Sequence, residues 1–374
     1  TICASTYKGA LVDYRSVDLV EVPAAVNAQL AEYFSYRAPE VAALGSPFQK
    51  SVSYLEQFVL GGGKRIRPLY GWAGFVGGGG LETGEEDPQS VLRAVSALEF
   101  IQACALIHDD IIDASDTRRG QPTVHRAIEA EHQQRDFLGS SPAFGEHAAI
   151  LIGDLALVWA EDMWRSSGVS NAALDRAAEP WQGMRTEVIG GQLLDIMLEA
   201  EGSESAEAAN TVNRYKTAAY TIERPLHLGA ALAGATDAII EAFRGYGRDI
   251  GMAFQLRDDM LGVFGDSAIT GKPAGDDLRE GKRTVLYATA LKLLDESSPG
   301  QAAKLRAGIG TVEDPDAVHE IASIIAGSGA VEAVEEEIDR LSTSGLAHLD
   351  SVTLSDEVGE ILRTLAIKST ARRS

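Results

Sequence analysis

The sequence is 374 residues long, 45% hydrophobic and 24% charged, which is ample for a buried core and excludes a disordered chain. Fifty-five Asp and Glu against 33 Lys and Arg give a net charge of −22, so nucleic acid and anionic lipid are excluded as general partners. Two cysteines, Cys3 and Cys104, exclude a disulfide framework and fit a reducing, cytoplasmic location.

Most of the chain reads as helix. Residues 1–29 read as an N-terminal extension, and 30–374 as one all-α domain. Thr1–Val20 lacks a basic segment followed by an apolar one, so no signal peptide is expected. Gly61-Gly-Gly-Lys-Arg-Ile-Arg-Pro sets Lys64, Arg65 and Arg67 beside three glycines, a pattern that brings backbone and cations close to an anion. Gly77–Gly80 and the acidic stretch Glu82–Asp87 read as loop. Leu92, Val95, Leu98, Phe100, Ile101 and Leu106 then recur at helical spacing, and Cys104 on this run reads as a small core residue.

That helix ends in Asp109, Asp110 and Asp113. Asp109 and Asp113 share a face, and two bare carboxylates there repel each other unless a cation intervenes. Oxygen-only ligands suit a hard ion such as Mg²⁺, which is commonly held by one or two carboxylates together with substrate phosphates. Arg118 and Arg119 follow closely, so metal and arginine are set to grip one anion. Gly139–Gly145, with Pro142, reads as loop. The richest apolar run, Ala148–Ala160, is broken by Asp154, and no run approaches the ~20 residues of a membrane span. Glu201–Ala206 and Glu296–Gly300 are further loops. Asp258 and Asp259 repeat the pattern of an apolar run closed by an Asp pair, with Asp266 beyond. Taken singly, Lys216-Thr217, Gly271-Lys-Pro273 and Gly281-Lys-Arg-Thr284 are weak signals.

Together the set resembles the trans-isoprenyl diphosphate synthases of the polyprenyl synthetase family. The matching segments are Gly62–Pro68, His108–Gly120, Gly153-Asp154, Gly191–Ile196, Lys216-Thr217, Phe254–Asp259, Gly271–Pro273 and Gly281–Thr284, in the family's order, within a stretch from about Leu30 to Ala366. The resemblance implies an all-α isoprenoid synthase fold, a helical bundle around a deep central cavity with the two Asp clusters facing across its mouth. It implies a homodimer and Mg²⁺, three ions per site, held by Asp109, Asp110, Asp113, Asp258 and Asp259. It also implies head-to-tail condensation of isopentenyl diphosphate with dimethylallyl, geranyl or farnesyl diphosphate.

Carried over by position, Arg118, Lys216, Thr217, Gln255, Lys272 and Lys282 contact the allylic diphosphate and its metals. Lys64, Arg67, Arg119 and Gln102 contact isopentenyl diphosphate, although the family often has His where Gln102 stands. Gln192 and Asp195 fall on polar wall positions. The second motif departs from D-D-x-x-D, since its fifth residue is Gly262, which leaves Asp266, Asp276 or Asp258 alone to make up the ligand count.

The departing diphosphate is itself able to take the final proton, so His108 is expected to be a hydrogen-bonding residue and not a base. Ala105 lies one turn (~5.4 Å) below Asp109 on one stripe, flanked by Cys104. In the family it resembles, bulky aromatics at these two positions close the pocket after a C15 product; both are small here. With Phe100 and Ile101 as the floor, the expected product is C20 geranylgeranyl diphosphate. A longer-chain synthase, a class I terpene cyclase and a noncatalytic subunit of a heteromeric synthase are the competing readings. The basic Gly61–Pro68 motif argues against the cyclase.

Overall fold

The computed structural model describes residues 19–265 and 275–370. Lys272, Asp266 and the Gly271–Pro273 segment lie outside these. Helices carry almost all of the described chain. They are α1 (Val22–Ala43), α2 (Ser46–Leu60), α3 (Ile66–Gly77), α4 (Gly80–Thr83), α5 (Pro88–Ser96), α6 (Leu98–Ile112), α7 (Val124–Gln134), α8 (Ser141–Arg165), α9 (Asn171–Arg176), α10 (Ala178–Glu201) and α11 (Ala206–Val212). A π-helix, Asn213–Glu223, runs directly into α12 (Arg224–Ala233), followed by α13 (Asp237–Phe264). After the undescribed stretch come α14 (Asp276–Glu280), α15 (Val285–Ser297), α16 (Pro299–Gly308), α17 (Pro315–Ala326), α18 (Ala330–Asp350) and α19 (Asp356–Thr370).

Local chemistry sets the boundaries. Asp87 caps α5 by accepting from the Ser90 N–H, with Pro88 in the first turn; Thr284 caps α15 in the same way. Gly202, in the left-handed region, ends α10 and Ser205 caps α11, so Glu201–Ala206 is the break expected. Two expected loops are partly helical. Pro142 sits in the first turn of α8, where its missing N–H costs nothing, and Gly80–Thr83 forms a single helical turn.

The expectation that no stretch is apolar enough to span a membrane is corrected. Pro88–Ile112 and Ser141–Arg165 both are, by length and composition. Ala97 joins α5 to α6 without a polar break, and Asp154 is the one charge between Glu146 and Glu161, so it does not break the apolar stretch of α8. In the first stretch 72% of the apolar window is buried inside the protein; in the second only 39% is. Helix α1 crosses the boundary placed after residue 29, and Leu19, Val22 and Val26 are buried in the same core as Leu30.

Two apolar cores share α13. The larger gathers α1 to α10, the π-helix, α12, the first half of α13, the end of α18 and α19; the smaller joins α11 and the end of α13 to α14–α18. At 1.5 Å per residue α13 is about 42 Å long, enough to serve both. Helices α6, α10, α13 and the π-helix leave a cavity between them, with α6 and α13 both ending at its mouth.

Candidate active site

The cavity measures about 1270 Å³ and is polar at one end, apolar at the other. Asp109 closes the last turn of α6 and Asp113 is its C-terminal cap. Negative side chains are disfavoured at this end of a helix, because the backbone carbonyls already concentrate negative charge there. The site answers with cations. Lys216 Nζ lies 2.6 Å from Asp195 Oδ2 and 3.4 Å from Asp109 Oδ1. Lys282 Nζ lies 2.8 Å from Glu280 and 3.7 Å from Asp113 Oδ2. Burial pushes the Asp109 carboxyl up, but Lys216, Lys282 and Arg118 outweigh it and hold the group below its ordinary range. Asp113 goes the other way, raised by burial and by the Asp109 charge.

Asp110 behaves differently from its neighbours. Its side chain is 1% exposed and receives Arg118 Nε and Nη2 on Oδ1, each at 2.7 Å. Burial raises its carboxyl to about 6 despite the guanidinium. Arg118 also comes within 3.7 Å of Asp109. Arg118 belongs to a two-stranded hairpin, Thr117–Arg118 with Gln121–Pro122. Arg119 and Gly120 at its tip both have positive φ, the signature of a type I′ turn. The turn sends Arg118 toward the aspartates and Arg119 the other way, where Nη1 donates to the Gly62 carbonyl at 2.9 Å.

In the second cluster, adjacent residues again divide. Asp258 is exposed toward the cavity, whereas Asp259 is buried. The Thr217 hydroxyl donates to Gln255 Oε1 at 2.6 Å, and Gln255 Nε2 donates to Asp259 Oδ1 at 2.7 Å. Thr217 and Gln255, expected at the diphosphate, both line the cavity and are linked to Asp259 by this chain of hydrogen bonds. Burial and the Asp277 charge raise the Asp259 carboxyl to about 8.

The basic segment after α2 forms the facing wall. Gly63 has φ +118, and a Cβ there would sit 3.3 Å from both Arg119 Nη2 and Arg65 Nη1. Only a glycine lets the chain slip between these guanidiniums. Arg65 is structural: it is 3% exposed and donates to Glu99, to Asn27 Oδ1 and to the Val59 carbonyl. Lys64 and Arg67 line the cavity. Arg67 stacks on Tyr220 at 4.0 Å and donates to Thr221 Oγ1 at 2.9 Å. The Tyr220 hydroxyl donates to Gln102 Oε1 at 2.8 Å, and Gln102, whose amide N–H₂ this bond does not use, lines the cavity. Tyr220 and Thr221 were not singled out from sequence; the π-helix, with its wider turn, brings them to the wall that carries Lys216 and Thr217.

The apolar end is lined by Ile101, Cys104 and Ala105 of α6, with Leu157, Val188 and Ile189 opposite. Phe100 is corrected as a floor residue. It is fully buried and packs on Tyr33, Phe34 and Trp159 at 5.4, 5.5 and 6.1 Å between ring centres, because one residue of helix turns it about 100° from Ile101. His108 Nε2 lies 3.1 Å from the Ile150 carbonyl and Nδ1 lies 3.7 Å from Cys104 Sγ. Both ring nitrogens are occupied, and burial pushes the Cys104 thiol up to about 12.

Among the described residues, no three acidic, His or Cys side chains converge on one preformed metal position. The donor set is nevertheless that of a hard cation: carboxylates at both helix ends, no His or Cys ligand among them, and buried Asp110 Oδ2 and Asp259 Oδ2 without a hydrogen-bond partner. Such a set fits Mg²⁺ whose remaining positions are filled by a ligand's phosphate oxygens.

Residues 49–326 match the family model described as polyprenyl synthetase. The chain is 34% identical over 281 residues to the geranylfarnesyl diphosphate synthase of Aeropyrum pernix, covering 74% of this chain and 80% of that protein. It is 30% identical over 308 residues to the (2E,6E)-farnesyl diphosphate synthase of Mycobacterium bovis, covering 81% and 78%. Among solved structures, the geranylgeranyl pyrophosphate synthase of Corynebacterium glutamicum, complexed with isoprenyl diphosphate and magnesium, superposes with a TM-score of 0.93 at 57% identity, covering 96% of this chain and 100% of that one.

Proposed function

Because the chain belongs to the polyprenyl synthetase family and is a prenyltransferase of the isoprenyl diphosphate synthase kind, we propose that it condenses isopentenyl diphosphate with allylic diphosphates up to farnesyl, with geranylgeranyl diphosphate as main product. The observation that carries this reading is one cavity with carboxylate-tipped helices on two sides, a Lys and Arg wall on a third and a small-residue apolar channel beneath. Asp109, Asp113 and Asp258 would hold magnesium, three ions per site, which when bound supplies the charge that draws the diphosphate away from the allylic carbon. Lys216 and Lys282 face the same leaving group and exchange their present carboxylate partners for its oxygens. Lys64, Arg67, Arg119 and the Gln102 amide hold the second diphosphate, orienting the isopentenyl double bond toward the cation.

As the C1–O bond breaks and the new C–C bond forms, the excess proton passes to the departing diphosphate. No side chain is needed as base, in keeping with a His108 whose nitrogens are both engaged. Incubation with Mg²⁺, farnesyl diphosphate and labelled isopentenyl diphosphate should give a C20 diphosphate and no cyclic hydrocarbon. EDTA should abolish turnover. Cyclic product, turnover that survives EDTA, or activity only with a partner chain would each overturn the reading.

We also propose a homodimer, located in the cytoplasm. Phe144, Leu151 and Val158 recur every seventh residue on α8 and are 44, 68 and 57% exposed; Met197 of α10 is exposed as well, whereas the exposed Ile189 and Leu193 of α10 line the cavity. Ile112 on α6 is also exposed, and it lines the cavity. An apolar face of this extent calls for a cover. At a net charge of −22 a second copy suits it better than an anionic membrane. Leu151→Glu should convert the dimer to a folded monomer in sedimentation velocity; an unchanged sedimentation coefficient would place the interface elsewhere.

A further inference from the structure

We propose that Asp277 supplies the acidic side chain that the second aspartate cluster lacks at Gly262, entering the cluster from a separate helix. This rests on the prenyltransferase reading above. Positions 258 and 262 lie one turn apart on α13 and share a face, so a side chain at 262 would stand beside Asp258. That space is taken. A Cβ added to Gly262 would lie 2.0 Å from Asp277 Oδ2, 2.3 Å from Cγ and 2.8 Å from Oδ1. The carboxylate of Asp277 thus occupies the volume where a side chain on residue 262 begins. Gly262 is therefore not simply a lost aspartate; it is the only residue that admits Asp277 at this point. Of the acidic residues that sequence offered as substitutes, Asp266 lies outside the described residues, and Asp276 is not the one against Gly262.

The surroundings fix this arrangement. Asp277 lies in the first turn of α14, which starts after Gly275 in the left-handed region. Its carbonyl accepts the Gly281 and Lys282 N–H groups at 3.1 and 3.0 Å, which ties α14 to the loop carrying Lys282. Beside it, Asp259 is 3% exposed, with Oδ1 taken by Gln255 and Oδ2 left without a hydrogen-bond partner. A buried carboxyl oxygen outside good hydrogen-bonding geometry, next to a second acidic side chain, is a costly arrangement while both are charged. A cation shared with a bound diphosphate resolves it. Asp277 also faces the Lys282 ammonium, so the structural alternative is that it serves only to hold that lysine.

Metal-dependent binding of inorganic pyrophosphate separates the two roles without any turnover. Isothermal titration of the full chain with pyrophosphate, over a series of Mg²⁺ concentrations, gives an apparent affinity for each partner. Asp277→Asn should weaken Mg²⁺-dependent pyrophosphate binding about 10–100-fold and move half-saturation to higher Mg²⁺. The transposed pair Gly262→Asp with Asp277→Gly should recover most of the loss. Should Asp277→Asn weaken pyrophosphate equally at every Mg²⁺ concentration, Asp277 serves Lys282 alone and the proposal is overturned. A folded transposed pair, judged by its circular dichroism melt, that recovers nothing also overturns it. If the transposed pair does not fold, the Mg²⁺ dependence of Asp277→Asn decides alone. Failure of the unsubstituted chain to bind pyrophosphate with Mg²⁺ would instead sink the prenyltransferase reading beneath it.

Discussion

Asp109→Ala should lower kcat for condensation about 10³-fold, some 4 kcal/mol of barrier, while the protein stays folded. The loss is large because Asp109 sits where the charge of the leaving diphosphate develops, and no neighbour duplicates it. Asp110, next in sequence, is turned into Arg118, and Asp113 is raised by burial and by Asp109 itself. The fold should survive because Lys216 keeps Asp195 at 2.6 Å, so removing Asp109 strands no buried cation. Steady-state kinetics against Mg²⁺ concentration, with a thermal melt alongside, check both halves. The KM for isopentenyl diphosphate should move little, since its contacts lie on the Lys64–Arg67 wall. Velocity within a few-fold of the unsubstituted enzyme would refute the assignment of Asp109.

Ala105→Phe should change which product is made. Position 105 lies one turn (~5.4 Å) beneath Asp109 and opens on the cavity, facing Leu157 and Val188. A phenyl ring there bars the channel just below the diphosphate. The first condensations remain open, but a C15 tail can no longer lie in line for the next one. The C20 share should fall at least ~10-fold, with C15 replacing it, in chromatography of dephosphorylated products. Cys104→Phe should act in the same direction at a greater cost in stability, because Cys104 is 8% exposed and in contact with His108. Unchanged product length in both variants would move the length-setting wall away from α6.

Much of this site was readable from the sequence, for a definite reason. Carboxylates at helical spacing, and glycines beside Lys and Arg, are expensive to keep unless a ligand uses them, so Asp109, Asp113, Asp258, Lys64 and Arg67 announce themselves. Spacing alone could not say which neighbour turns away. Asp110 and Asp259 carry the same side chain as Asp109 and Asp258, yet face Arg118 and Gln255. Arg118 comes from a hairpin, which no local pattern encodes; Gln255 stands four residues before Asp259 on the same helix, but spacing does not tell whether it engages Asp259 or a ligand. Phe100 was misjudged for a similar reason, since apolar residues on both sides of α6 hide which face meets the cavity and which meets the Tyr33, Phe34 and Trp159 cluster. Gly262 read as a gap because its replacement arrives from another helix. The apolar exterior of α8 was missed because one aspartate was taken to break a run that a whole helix averages out.

The π-helical segment Asn213–Glu223 carries a consequence for how this chain tolerates change in length. A π turn is an α turn with one extra residue lodged in it. Deleting one residue between Lys216 and Tyr220 would let the segment relax into the ordinary spiral, and everything downstream would be rotated by about 100°. Lys216 would still meet Asp109, but Tyr220 and Thr221 would swing off the wall where they steady Gln102 and Arg67. The two halves of the pocket are thus geared together by a spare residue. Point substitutions along this stretch, at Lys216, Thr217 and Tyr220 excepted, should be far better tolerated than indels.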